Sequence, residues 1–170
     1  LSIGTGDYSM DNLVSLSKSM VFELRADSSS DTVTVAGLEV TSDDTLFIVR
    51  EEASQVFEVN GDLTIGADGS TTKSRLDVSG ATFIINDESL HTVTFHDSLR
   101  LNGTITYPDS VNITYLLDYD WTTASELPAS LGSGVLSVKS DSLFKLDKSI
   151  TASAVEILSN DNSTDYDVDI

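Results

Sequence analysis

Two histidines, His91 and His96, are the first residues to weigh for chemistry. Their spacing of five puts them on opposite faces of any strand that holds both, because successive side chains alternate. That placement does not make a metal pair. A catalytic histidine also needs a nucleophile and an orienting carboxylate within reach, and no serine here stands in a Gly-x-Ser-x-Gly elbow. Both histidines are therefore expected to be ordinary surface or turn residues.

Carboxylates are far more abundant, with 28 Asp and Glu residues. Glycoside chemistry uses two of them about 5–10 Å apart, but so many acids place some pair at that distance by chance. Asp161, Asp165, Asp167 and Asp169 near the C-terminus, and Asp118 with Asp120, offer the hard oxygen ligands that suit Ca²⁺. Neither group has the spacing of an EF-hand loop, and a solvated acidic tail and a polar turn are the simpler account of them. The sequence contains no nucleotide loop, zinc motif or redox motif.

The aromatic residues Tyr107, Tyr115, Tyr119 and Trp121 fall in one stretch and could stack against sugar rings as a glycan-contact platform. The competing expectation is that they cap a core. Asn102-Gly103-Thr104, Asn112-Ile113-Thr114 and Asn162-Ser163-Thr164 fit the N-glycan acceptor pattern, which matters only in a source that glycosylates.

The net charge of −19 repels phosphate backbones and anionic headgroups, so nucleic acid is not an expected partner. The same charge suits divalent cations and high salt, or simply keeps sheet edges from aggregating. With no cysteine, stability must come from packing and strand pairing. No run of about 18 apolar residues is present, so no membrane insertion is expected. Richness in Ser, Thr and Asp with few Lys resembles secreted, cell-surface or virion proteins. A first residue of Leu1 leads to the expectation of a processed or excised piece.

The elements that must position these residues are strands. An apolar-x-apolar-x-Gly unit occurs four times: Val33-Thr34-Val35-Ala36-Gly37, Phe57-Glu58-Val59-Asn60-Gly61, Leu76-Asp77-Val78-Ser79-Gly80 and Leu99-Arg100-Leu101-Asn102-Gly103. The glycines stand 24, 19 and 23 residues apart, from 37 to 61, 61 to 80 and 80 to 103. Period-two alternation buries one face of each strand. A glycine after each pair suits a bulge, a corner or a close backbone approach. A corner every 20 or so residues is what a β-solenoid coil or a stack of β-arches requires. The expected fold is thus all-β and solenoid-like, with a β-sandwich as the alternative because two strands and two turns give the same period.

Further strands are expected at 20–24, 45–49, 111–115, 135–138 and 153–157, and the near-continuous apolar run at 45–49 suggests burial on both faces. Linkers are expected at 27–31, 68–73, 118–134 and from 159 onward, with a tight turn at Asp68-Gly69. A short helix within 122–131, capped by Thr122 or Thr123 and interrupted by Pro128, is the one helical candidate. A soft boundary near 120 separates a repeat-containing β domain, 1–120, from a C-terminal β segment packed on it, 121–170.

The stretch Gln55 to Pro108, with strings such as Val59-Asn60-Gly61-Asp62-Leu63-Thr64-Ile65, resembles tail-fibre and other virion structural proteins of tailed bacteriophages. Adhesins and surface-layer proteins use similar repeats. The resemblance implies a homotrimeric or otherwise homo-oligomeric fibre at a virion or cell surface that contacts other virion or cell-surface proteins, assembles, or attaches to a host. It carries no catalytic residues over, and no cofactor is expected apart from the Ca²⁺ that the acidic clusters suggest. The reading is a non-enzymatic structural or adhesive module, with surface glycans as candidate ligands. A secreted bacterial or archaeal adhesin is the second reading, and a carbohydrate-active enzyme on a solenoid the third.

Overall fold

Val, Ile, Phe and Thr alternating with polar residues favour extended backbone, and the described residues follow that preference. In the computed structural model, the described residues are 2–3, 8–16, 20–24, 32–40, 45–50, 56–66, 75–80, 82–86, 89–96, 100–117, 120–123, 126–140, 142–158 and 168–169. Among them there is no helix. The strands are β1 (Ser2–Ile3), β2 (Tyr8–Leu16), β3 (Met20–Leu24), β4 (Thr32–Val40), β5 (Thr45–Arg50), β6 (Val56–Val59), β7 (Leu63–Ile65), β8 (Arg75–Gly80) and β9 (Thr82–Ile85). They continue as β10 (His91–His96), β11 (Arg100–Asn102), β12 (Ile105–Thr106), β13 (Val111–Leu117), β14 (Trp121–Thr122), β15 (Val135–Ser140), β16 (Phe144–Lys145), β17 (Ala154–Leu158) and β18 (Val168–Asp169).

Every described pairing is parallel, and the fold is a parallel β-solenoid. Strand β4 shows how one coil becomes the next. Its first half pairs with β6 (Val33 opposite Phe57) and its second half with β7 (Leu38 opposite Leu63), so the long strand divides at a corner around Asn60 to Asp62. Strands β6, β9 and β12 extend the first face. Strands β7, β10, β13, β15 and β17 extend the second. A third face follows the second in chain order, built of β1, β3, β5, β8 and β11 and, separately, of β14, β16 and β18. The third face divides between β11 and β14, while the second face runs on from β13 to β15.

The core is a set of columns along the stack. Val33, Phe57, Phe83 and Ile105 follow one another on the first face, all buried, with the Phe57 and Phe83 rings stacked at 5.6 Å and 10°. On the second face Val40, Ile65, Phe95, Tyr115 and Val138 form another buried column. Each such side chain contributes about 1.5–3 kcal/mol through removal from water, so stability is distributed along the axis.

The four repeat glycines divide between two corners. Gly37 and Gly61 lie where the first face meets the second, and a Cβ on Gly61 would stand 2.0 Å from the Ala36 carbonyl oxygen of the preceding coil. Gly80 ends β8 on the third face, and Gly103, with φ of 101°, directly follows β11. Leu101, not Leu99, pairs with Leu76, so these last two units are offset by two residues from their sequence alignment. The segment 118–134, expected as a linker with a short helix, instead holds β14 and a turn that continues the coil. Thr123 does not cap a helix: its hydroxyl donates to Asp147 Oδ1 at 2.8 Å and accepts from the Asp147 N–H. The linkers expected at 27–31 and 68–73, the Asp68-Gly69 turn and the tail from 159 to 167 lie outside the described residues.

Candidate functional site: an aromatic corner and the groove beside it

Strand β13 alternates strictly, and Val111, Ile113, Tyr115 and Leu117 all point inward. Tyr115 is fully buried between Phe95, at 5.4 Å and 45°, and Phe144, at 5.0 Å and 55°. An inward tyrosine needs an acceptor for its hydroxyl. Glu126, itself buried, supplies one: Tyr115 Oη donates to Glu126 Oε1 at 3.1 Å, and Trp121 Nε1 donates to the same oxygen at 3.2 Å. Tyr107 Oη donates to the Glu126 backbone carbonyl, and Lys148 Nζ donates to the carbonyl of Leu127. One carboxylate thus ties β13, β14 and the following turn together.

Burial raises the Tyr107 and Tyr115 phenols well above their ordinary value near 10, and the negative charge of Glu126 adds to both shifts. Both hydroxyls therefore stay protonated donors through neutral and mildly alkaline pH. Neither serves as a base there. Of the aromatics expected to form a sugar platform, Tyr115 is a core residue, Trp121 is half-buried with its indole N–H engaged, and half-buried Tyr107 lines a groove. Tyr119 lies outside the described residues.

Two adjoining depressions of about 450 and about 310 Å³ share Tyr107, Pro108 and Asp109. One continues over Glu58, Ile84 and Thr106, which follow one another in register on β6, β9 and β12. The other continues to Leu127, Pro128 and Ser130. The result is a shallow groove crossing several coils, with prolines and a phenol ring beside carboxylates and hydroxyls.

The histidines are not surface residues. His91 and His96 are both buried, His91 opposite Val111 and His96 at the end of β10 opposite Leu116. Ser89 Oγ lies 3.1 Å from His91 Nε2. The signal was present in the sequence, since His91 falls two residues before Val93 and four before Phe95 on the inward face.

Several acidic and amide side chains have a structural task that composition did not reveal. Asp62 Oδ1 accepts the Thr92 N–H at 2.8 Å, Asn112 Oδ1 the Val135 N–H at 3.1 Å, and Asp120 Oδ1 the Leu143 N–H at 3.0 Å. Each acceptor holds backbone of the following coil. Asn102 Nδ2 similarly donates to Asp77 Oδ2 at 2.9 Å, one coil back. Of the glycan acceptors, Asn102 is exposed, Asn112 is half-buried, and Asn162 lies outside the described residues. Of the expected Ca²⁺ ligands, Asp118, Asp161, Asp165 and Asp167 also lie outside them. Asp169 pairs through β18 with Lys145. Among the described residues, no group of three or more His, Cys, Asp or Glu side chains is placed to hold a metal ion.

No family model matches the chain, and comparisons with curated proteins and with solved structures give no match.

Proposed function

We propose that the chain is a non-enzymatic structural and adhesive module of a virion fibre or decoration protein, mediating assembly or attachment to a host surface. The observation that carries this reading is the parallel ladder of the second face, which runs from the second half of β2 through β4, β7, β10, β13 and β15 to β17. A ladder of that kind makes a stiff rod with binding positions repeated along it. The groove around Tyr107 adds a contact surface for a neutral glycan chain. The buried carboxylate Glu126 is engaged by two side-chain donors, which suits an architectural role better than an acid-base role.

Gold-labelled antibody against the chain, imaged on native particles and cells, should mark external fibres; label confined to the cytosol would overturn the assignment. Retention of the purified chain on immobilised cell-surface polysaccharide should fall about tenfold in Tyr107→Ala, given the worth of one aromatic stacking contact. Undiminished retention removes the groove from the attachment surface. A secreted bacterial or archaeal adhesin is the second reading, favoured by the exposed acceptor Asn102. Intact-mass measurement on material from its native source would reveal the glycan there.

A further inference from the structure

The sequence contains two Asn-Gly pairs, Asn60-Gly61 and Asn102-Gly103. In such a pair the main-chain nitrogen readily reaches the preceding side-chain amide, because glycine puts no Cβ in the way and rotates freely. The fold treats the two pairs differently.

Asn60-Gly61 lies inside the stack. The Asn60 N–H donates to the Val35 carbonyl at 2.8 Å, and the Asp62 carbonyl accepts the Leu38 N–H at 3.0 Å. On the other side of the same coil, the Asn86 N–H donates to the Val59 carbonyl at 2.9 Å. Gly61 is pressed so close to the preceding coil that a Cβ on it would stand 2.0 Å from the Ala36 carbonyl oxygen. Asn60 therefore cannot turn toward the Gly61 nitrogen without opening ladder bonds.

Asn102-Gly103 lies between β11 and β12. Among the described residues β11 pairs only with β8 and β12 only with β9, so each is the last strand of its ladder. The second face continues past this point through β13, β15 and β17, so these ladders stop within the stack. Asn102 is exposed, and Gly103, with φ of 101°, turns the chain away from β11. Asp77, which accepts from Asn102 Nδ2 at 2.9 Å, is only 8% exposed.

We infer that Asn102 is a self-modification site, at which the folded chain deamidates with water as the sole co-reactant. The Gly103 nitrogen gives its proton to solvent base and attacks Asn102 Cγ. A C–N bond forms, the Cγ–Nδ2 bond breaks, and Nδ2 takes a proton from water and leaves as ammonia. Water then opens the resulting succinimide at either carbonyl, giving aspartate or isoaspartate. Nothing is oxidised or reduced. Either product sets a carboxylate against Asp77 where an amide donor stood, and like charges so close, one of them buried, disfavour each other strongly. Isoaspartate also routes the main chain through the side chain, adding a methylene to the link from β11 to β12. The reaction thus loosens the rung between β8 and β11. It needs neither the groove nor a host surface, so it stands or falls apart from the attachment reading.

The test is incubation of the folded, unglycosylated 170-residue chain at mildly alkaline pH, followed by peptide mapping by mass, since replacing NH2 with OH adds one mass unit. Asn102 should convert at least about tenfold faster than Asn60, because local opening must precede reaction at Asn60. In denaturant the two pairs should convert at similar rates. Equal rates in the folded chain overturn the inference. So does an Asn102 that stays intact in the folded chain while the denatured chain converts. Asn102→Gln should stay unmodified at that peptide, and Asn102→Asp, which carries the aspartate product, should unfold at a lower denaturant midpoint than Asn102→Gln. A midpoint no lower would overturn the loosening of the rung. Circular dichroism establishes that both variants are folded.

Discussion

The middle coils and the aromatic corner solve the same problem by different means. Around Phe57, Phe83, Leu63 and Val93 the interior is apolar, and each side chain lies on an apolar one from the next coil. Around Tyr115, Trp121 and Glu126 the interior carries a carboxylate and the donors that hold it. Apolar columns need only suitable size at each rung, because dispersion and burial are non-directional. The corner needs particular atoms at particular places, because a buried polar group left without its partner is costly. The first region should therefore be sensitive to volume, and the second to hydrogen-bonding capacity.

The largest effect expected from breaking this contrast is Phe57→Ala, which removes the ring stacked on Phe83 and leaves a cavity costing about 3–5 kcal/mol. Phe57→Leu should recover most of that loss in denaturant unfolding. If leucine proved as damaging as alanine, the column would depend on ring geometry rather than volume. Next comes Glu126→Leu, which strands the Tyr115 hydroxyl and the Trp121 N–H and should cost about 2–4 kcal/mol. Glu126→Gln keeps an acceptor and should cost clearly less. Equal losses for the two variants would show that Glu126 acts by filling space.

The smallest effect is expected on first raising the pH past 10. Tyr107 and Tyr115 have phenols raised above the unfolded value, so the folded state retains protons that the unfolded state releases. Their contribution to stability is complete below pH 10 and declines as pH rises above it. Absorbance at 295 nm should show these two tyrosines ionising only as the fold is lost, and Tyr115→Phe should flatten the decline. A decline equally steep in Tyr115→Phe would assign it to other groups.

Period-two alternation made the strands legible, and 20–24, 45–49, 111–115 and 135–138 all fall within observed strands. The glycine unit pointed to a solenoid although its four copies are not equivalent. Every corner recurs once per coil, so glycines drawn from two different corners, such as Gly61 and Gly80, still produce a coil-like spacing. Tyr115 was legible in principle, since it continues the inward alternation of Val111 and Ile113. What obscured it was the partner: nothing local announces that Glu126 turns inward to receive its hydroxyl. Thr123 was hidden similarly, because local capping propensity gave way to Asp147, 24 residues on.

The staples from Asp62, Asn112 and Asp120 to backbone of the following coil have a mechanical consequence. Coils stack in chain order, so tension on the two ends of the chain reaches the terminal coils first and releases the rod one coil at a time. A coil of 20 to 25 residues, as between His91 and Val111 or Tyr8 and Val33, lengthens by roughly 65–90 Å when drawn out. Each staple crosses from one coil to the next and adds a side-chain catch to the ladder bonds at that step. Under load the molecule would lengthen in successive slips, each followed by a fresh, still-folded coil bearing the force.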